Sequence, residues 1–274
     1  MIKKVAAIHD LSGIGRCSLT IAIPILSALK VQCCPFPTAI LSSQTGYPKY
    51  SFLDLTSEMI SYKKVWHELN VDFDCIYSGF LGSENQIDIV SDFINDNKNS
   101  LVIVDPVMGD NGCLYPIFNK TMCDKIKNLV KHSNIVTPNI TEALILTESD
   151  YTQINLCKAE LISLAKKVSN LGPSKVVITG IILDNKIHNL TFDKNSNEVY
   201  FTSADFNNIS YSGTGDLFTS ILTGMILNGH SLKYSVDIAS QFIHKSVLYT
   251  SKFNVDRNDG VMFEMFLSDL ISCV

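Results

Sequence analysis

The sequence predicts an α/β protein with a mostly parallel sheet covered on both faces by helices. Two observations carry this. Short apolar runs of strand length alternate with longer helical segments from residue 5 to about 180, and strands joined by crossover helices lie parallel. Each apolar run also stops at a polar or Gly/Pro cluster, the mark of a buried strand leaving its sheet.

Residues 5–8 are the first strand, ending at His9-Asp10. Residues 18–29 (SLTIAIPILSAL) read as a helix strained in its middle by Pro24. Residues 31–36 are a second strand, with Pro35 and Pro37 limiting its pairing. A helix over 55–69 precedes Cys75-Ile76-Tyr77, which leads into Ser78-Gly79, and 84–97 is helical again. Residues 101–104 (LVIV) form the clearest buried strand and end in Asp105-Pro106. A helix over 119–131 is followed by Ile135-Val136, then by Thr137-Pro138-Asn139 and another helix. Residues 155–171 form a helix stopped by Gly172-Pro173, and 176–178 a strand ending at Thr179-Gly180. The rhythm then changes, and 186–203 alternate about a polar tip at 193–197, as a hairpin does. Beyond Gly213 the chain reads as helix over 217–228, 231–250 and 260–272. No linker or repeat interrupts 1–274, so one domain is expected. The strand ends should gather along one rim, where open α/β sheets place their sites.

The net charge of −5, with acids and bases interspersed, offers no basic face, which argues against a nucleic-acid partner. The eight cysteines are scattered with no C-x-x-C pair. They read as free, mostly buried thiols in a reducing compartment. The N-terminal apolar run, cut by His9-Asp10, is too short for a signal-peptide core or a membrane span. A cytoplasmic protein with no membrane partner is expected. His67, His132, His188, His230 and His244 show no metal-ligand spacing and read as surface or helix residues. Trp66 reads as a packing residue.

The most informative stretch is 210–217 (SYSGTGDL). Gly213, Thr214 and Gly215 supply unhindered backbone, and an apolar helix follows, with Leu217, Phe218, Ile221, Leu222, Met225 and Ile226 at helical spacing. Such a turn aims bare N–H groups and the positive end of the helix dipole at whatever docks there. Asp216 sets a carboxylate into that anion site. The pair suits phosphoryl transfer to an alcohol, with the amides holding developing negative charge and Asp216 accepting the hydroxyl proton. The plainer reading is a Gly-rich helix start with an acid in its first turn.

Three further segments have two readings each. Asp105 and Asp110 share one loop at a strand end, either as a magnesium or metal-water site or as turn formers. Asn139 and Glu142 are spaced as a capping box, or as a pair on one helical face holding metal-bound waters around phosphates. Residues 42–47 (SSQTGY) form a donor-rich polar loop. The fingerprints of other chemistries are missing. Gly13/Gly15 and Gly213/Gly215 both lack the third glycine of G-x-G-x-x-G, and G-x-x-x-x-G-K-[ST], H-E-x-x-H and G-x-S-x-G do not occur.

Taken in order, SSQTGY, SGFLGS, DPVMGD, TPNITE, VVITG and GTGDLF resemble the pyridoxal kinase branch of the ribokinase-like superfamily, from residue 8 to about 229. The resemblance implies a three-layer α/β/α fold. It also implies ATP-dependent phosphorylation of the 5′-hydroxymethyl group of pyridoxal, pyridoxamine or pyridoxine, giving the 5′-phosphate and ADP. ATP and Mg2+ come with it as cofactors, together with a monovalent cation (K+) and a homodimer as family traits. Asp216 then matches the catalytic base, and Gly213, Thr214 and Gly215 the anion hole. Asn139 and Glu142 match a motif that organises magnesium and phosphate, and Asp105 and Asp110 match nucleotide- and metal-side acids. Thr137 and Thr179 match rim threonines near the nucleotide phosphates and the monovalent cation. Thr45 matches a vitamin-contacting residue, and Phe80 stands where the family often has Tyr. The first loop departs from the family, with His9, Asp10, Leu11 and Ser12 where its members read Ser-His-Val. His9, Asp10 and Ser12 are the substrate-side candidates there, Asp10 for a ring nitrogen or phenolic edge. Loop 109–116 is a candidate lid. The related hydroxymethylpyrimidine kinases of thiamine synthesis also have a Gly-rich first loop, but usually carry Cys after the G-T-G. Asp216 and SSQTGY therefore favour the B6 side. A catalytically silent small-ligand sensor is the third reading, against which an intact Asp216 argues.

Overall fold

The computed structural model describes residues 2–274. Its elements follow the expected alternation: β1 (Lys4–Ser12), α1 (Ser18–Ala28), β2 (Gln32–Leu41), β3 (Phe52–Asp54), α2 (Thr56–Glu68), β4 (Cys75–Ser78), α3 (Glu84–Asp96), β5 (Leu101–Val104), β6 (Gly109–Asp110), β7 (Cys113–Leu114), α4 (Lys120–Lys131), β8 (Ile135–Val136), α5 (Ile140–Leu146), α6 (Lys158–Ser169), β9 (Lys175–Leu183), β10 (Lys186–Asp193), β11 (Glu198–Phe201), β12 (Ala204–Asp205), α7 (Thr214–Leu227), α8 (Leu232–Thr250) and α9 (Leu267–Ile271).

The main sheet runs β11-β10-β9-β8-β5-β4-β1-β2-β3, with β12 also on β10. Its six central strands, from β9 across to β2, pair parallel. The hairpin strands β10 and β11 and the edge strand β3 are antiparallel. Successive side chains of a strand face opposite layers. Ala6, Ile8, Ile76, Val102 and Val104 join the core under α2 to α6. Val5, Ala7, Cys75, Tyr77 and Ile103 join the core under α1, α7, α8 and α9. The result is the expected three-layer α/β/α arrangement. Trp66 packs as expected, its ring 5.0 Å from Phe73 and 5.1 Å from Phe36.

Several details differ from expectation, each for a local reason. β1 does not end at Ile8; it runs on through buried His9 and Asp10, paired with β2. Pro35 and Pro37 do not shorten β2. The Gln32 N–H bonds toward β1, so by the two-residue alternation the imide nitrogens of 35 and 37 face the other edge. That edge is paired only at 39–41, and no ladder donor is lost. The expected helix over 260–272 is broken: Phe263–Phe266 is a 3₁₀ turn and only Leu267–Ile271 is α-helix, with a further 3₁₀ turn just before this stretch at Arg257–Asp259. His188 is buried in β10, with Nδ1 2.9 Å from the Thr202 carbonyl, and is not a surface residue. All eight thiols are free, but only Cys17, Cys75 and Cys123 are buried.

Candidate active site

The sheet order reverses direction between β1 and β4, so the helices diverge there and open a crevice at the strand ends. A cavity of about 390 Å³ lies along this rim, lined by Asp105, Thr137, Asn139, Thr179 and the first turn of α7. The expected gathering of strand ends therefore occurs. Asp110, Glu142, Gly213, Thr214, Gly215 and Asp216 line the same cavity.

The mouth of α7 has little freedom in its sequence. Gly213 caps the helix at φ +76°, and a Cβ there would lie 2.0 Å from the Arg16 carbonyl oxygen. Glycine alone fits. A Cβ on Gly215 would point at Asp105, 3.8 Å from Oδ2, so its absence keeps the space between helix mouth and acid open. The Asp216 side chain is 16% exposed. Its Oδ2 accepts the Ser18 N–H at 2.9 Å. Ser18 holds that position at φ +50°, a left-handed conformation costing about 1 kcal/mol. The Ser18 hydroxyl donates to Asp10 Oδ1 at 2.6 Å, and the Ser12 hydroxyl to Asp10 Oδ2 at 2.8 Å. Asp10 and Ser12 are buried and neither lines the cavity; they brace Asp216 through Ser18. His9 lies behind the same carboxylate, fully buried, with Nδ1 3.8 Å from Oδ1. Burial raises the Asp216 pKa to about 7, with the Ser18 N–H opposing and the Asp10 charge adding to the rise. Burial lowers His9 to about 3 and keeps the ring neutral.

The opposite wall is built from α5. Asn139 caps that helix as half of a complete capping box with Glu142, so the capping role is present, and both residues also line the cavity. Glu142 Oε2 accepts the Asn139 N–H at 2.9 Å and Oε1 the Met108 N–H at 3.2 Å. The Asn139 amide donates to the Gly109 carbonyl at 2.8 Å, tying loop 109–116 to α5. Asp110 accepts from the backbone and side-chain amides of Asn111. Burial, with Asp216 for Asp105 and Asp105 for Glu142, holds both carboxyls well above the usual carboxylate range. Burial raises Asp110 too, against the attraction of Arg257. Thr137 is buried with its hydroxyl 2.9 Å from that of Thr219, and Thr179 bridges to Asn139 across the strand ends. Among the described residues no three His, Cys, Asp or Glu side chains gather closely enough to cage a metal ion.

None of the five expected substrate-side residues lines the cavity; His9, Asp10 and Ser12 lie behind Asp216, and the other two stand elsewhere. Thr45 is exposed, and Phe80 is half-buried against the core. The polar edge of SSQTGY is engaged elsewhere: Gln44 donates to the Asn258 carbonyl at 3.2 Å, Asn258 to the Gly46 carbonyl at 3.1 Å, and Tyr47 to Asp259. Sequence reasoning missed Ser18 and Arg257. Among the described residues Arg257 is the one Lys or Arg lining the cavity, against five carboxylates, Asp105, Asp110, Glu142, Asp205 and Asp216. No local pattern marks it; a tertiary fold brings residue 257 to the mouth of α7, where its carbonyl accepts the Ser212 N–H at 3.1 Å.

The family profile for phosphomethylpyrimidine kinases matches residues 23–262. The chain belongs to this family. Among solved structures, a candidate phosphomethylpyrimidine kinase from Bacteroides thetaiotaomicron in a form with pyridoxal is 41% identical, covers 98% of this chain and 96% of its own, and superposes with a TM-score of 0.95. Pyridoxal kinase from Lactobacillus plantarum is 25% identical with a TM-score of 0.92, covering 99% of this chain and 98% of its own. A hydroxymethylpyrimidine/phosphomethylpyrimidine kinase from Bacillus subtilis is 28% identical over 64% of this chain and 63% of its own length. The ribokinase-like fold and a kinase of the pyridoxal/hydroxymethylpyrimidine type are thereby shown. No helix among the described residues is long and apolar enough to cross a membrane.

Proposed function

We propose that this family member is an ATP-dependent kinase acting on the 5′-hydroxymethyl group of a B6 vitamer and releasing the 5′-phosphate and ADP. The observation that carries the reading is Asp216 at the mouth of α7. It is a carboxylate with one oxygen held and the other open, beside amides cleared of side chains by Gly213 and Gly215. Asp216 accepts the proton of the substrate hydroxyl as it attacks the γ-phosphorus in line. The amides of residues 213–216 take up charge on the moving phosphoryl group. Loop 109–116 excludes water by folding over the cavity.

The donor set fits magnesium held largely through water and phosphate. Each Glu142 oxygen accepts one backbone N–H and each Asp110 oxygen one Asn111 amide, so Asp105 is the least committed of the three acids and would hold the ion most directly, with Glu142 and Asp110 keeping lone pairs for its waters. Second to burial, neighbouring carboxylates add to the rise in the Asp105 and Glu142 pKa values, and a divalent cation would offset that repulsion. When bound, the ion neutralises charge on the β- and γ-phosphates. A monovalent-cation requirement and a homodimer belong to the same reading and rest on family resemblance.

The preference for B6 over a pyrimidine rests on Asp216 following the G-T-G, and on pyridoxal in the form of the 41%-identical Bacteroides protein. The family profile and the Bacillus subtilis relative favour the second reading, a hydroxymethylpyrimidine kinase. An ADP-release assay with pyridoxal, pyridoxamine, pyridoxine and hydroxymethylpyrimidine decides. Turnover greatest with a B6 alcohol is expected. Turnover confined to the pyrimidine establishes the second reading, and no turnover with any alcohol removes the kinase proposal.

A further inference from the structure

The kinase reading leaves His9 without a part. Its side chain is fully buried, yet neither ring nitrogen has a hydrogen-bond partner among the described residues. Buried polar atoms in that state call for an explanation. The surroundings hold the ring in place. Tyr77 meets it edge-on, with centroids 4.3 Å apart and planes at 74°. A Cβ on Gly79 would lie 2.2 Å from His9 Cε1 and 2.3 Å from Nδ1, so a residue with any side chain at 79 would displace the imidazole. Nδ1 stands 3.8 Å from Asp216 Oδ1. That oxygen is itself open, because Ser18 holds only Oδ2.

We infer that His9 is a positioning residue for Asp216, its Nδ1–H donating to Asp216 Oδ1 in the substrate complex. The consequence for turnover rests on the kinase reading; the bond itself does not. A neutral imidazole carries one N–H, and burial keeps this ring neutral. Placing the proton on Nδ1 aims it at an open carboxylate oxygen. Closing the gap to hydrogen-bond length requires a shift of about 1 Å, and catalytic hydrogen bonds are commonly long before substrate binds. With Ser18 on Oδ2 and His9 on Oδ1, the carboxylate is fixed in plane. Its remaining lone pairs then face the cavity, and no formal charge has been added beside the base. Asp10, the other acid of this wall, is turned onto Ser12 and Ser18 and does not compete for the ring.

The test uses geometry that amide side chains reproduce. The Asn amide nitrogen overlays Nδ1 of His, and the Gln amide nitrogen overlays Nε2. His9→Leu should lower kcat about 10- to 100-fold, the range for a displaced catalytic group, with KM for ATP and for the alcohol within threefold. His9→Asn should recover most of that loss and His9→Gln should not. In wild-type enzyme with pyridoxal and a non-hydrolysable ATP analogue, 15N NMR of the histidines should show His9 protonated at Nδ1 and bare at Nε2. The inference is overturned if His9→Leu turns over within twofold of wild type, if Asn and Gln rescue equally, or if Nε2 carries the proton. Should the substitutions prevent folding, the wild-type spectrum decides alone. If wild-type enzyme phosphorylates none of the four alcohols, the function proposed above fails, while the His9 tautomer, read without ligand, still tests the Nδ1–H that the bond to Asp216 requires, and a proton on Nε2 overturns it.

Discussion

The two walls of the cavity present the same residue type in opposite states. On the α7 side, Asp216 has one oxygen held by Ser18 and the other open. On the α5 side, Glu142 has both oxygens bonded to backbone N–H groups. Burial raises the pKa of both acids, Glu142 being buried and the Asp216 side chain 16% exposed, so the direction of the shift does not separate them. What their bonds do separates them. Asp216 keeps an oxygen free of any backbone bond, able to take a proton from a substrate, whereas each Glu142 oxygen holds a backbone N–H in place.

The comparison breaks most directly at Asp216. Asp216→Asn keeps size and loses basicity, so kcat should fall by about 10²- to 10⁴-fold with ATP affinity changed only a few-fold. Steady-state kinetics and ADP titration calorimetry check this, and retained turnover removes the assignment of Asp216 as base. Glu142→Gln should show the reverse profile. The amide presents one N–H group to a backbone N–H that needs an acceptor, leaving a buried donor unmatched at a cost of about 1–3 kcal/mol. Thermal unfolding should register that loss, with loop 109–116 loosened because Met108 and Asn139 anchor it. A Glu142→Gln protein of wild-type stability would show that the capping box is not what this acid does.

A subtler contrast lies in pH. Asp216 has its folded pKa raised from 3.8 to about 7. The native state therefore binds the extra proton across that window, and this group's contribution to stability falls as pH rises. His9 has its folded pKa lowered from 6.5 to about 3. The unfolded state binds the extra proton there, and this group's contribution rises with pH. Between about pH 4 and 6.5 the two oppose each other, one proton against one. Relative to wild type, His9→Leu should become less sensitive to acid over that interval. Asp216→Asn should become more sensitive, losing stability as pH drops. Calorimetric unfolding at pH 4.5 and 6.5 reads both, and a shift of the same sign in the two variants contradicts the assignment.

The α7 mouth was legible in the sequence because its constraints are local. Gly213 is demanded by a left-handed cap pressed on Arg16, and Asp216 follows it in the same turn. The parallel strands were legible for the same reason, each apolar run stopping at its own polar cluster, whereas their order in the sheet was not read. What escaped depends on distant partners. Ser18 matters because α7 packs beside α1, and Arg257 because a 3₁₀ turn near the C-terminus reaches back to loops 12–17 and 42–47. β1 outran its predicted end because pairing with β2 overrode the polarity of His9 and Asp10. The reading of Asn139 and Glu142 as ligands and as a cap could not be separated by spacing, since i and i+3 serve both.

The smallest effect concerns the residues that resemblance places on the substrate and geometry places outside the cavity. Thr45 is exposed, on a loop held by Asn258 and Asp259. If that loop keeps its place, Thr45→Ala should change KM for the alcohol by less than about threefold, within the cost of one exposed hydrogen bond. Asp216 and the α7 amides would then carry recognition of the reacting hydroxyl. A tenfold rise in KM for the alcohol, with KM for ATP unchanged, would mean that 42–47 swings onto the substrate. The bonds from Gln44, Tyr47 and Asn258 must break for that to happen. Asn258→Ala removes the amide donor to Gly46 and separates the cases: it should mimic ordinary loop loosening if Thr45 stays outside, and lower KM for the alcohol if the loop has to move in.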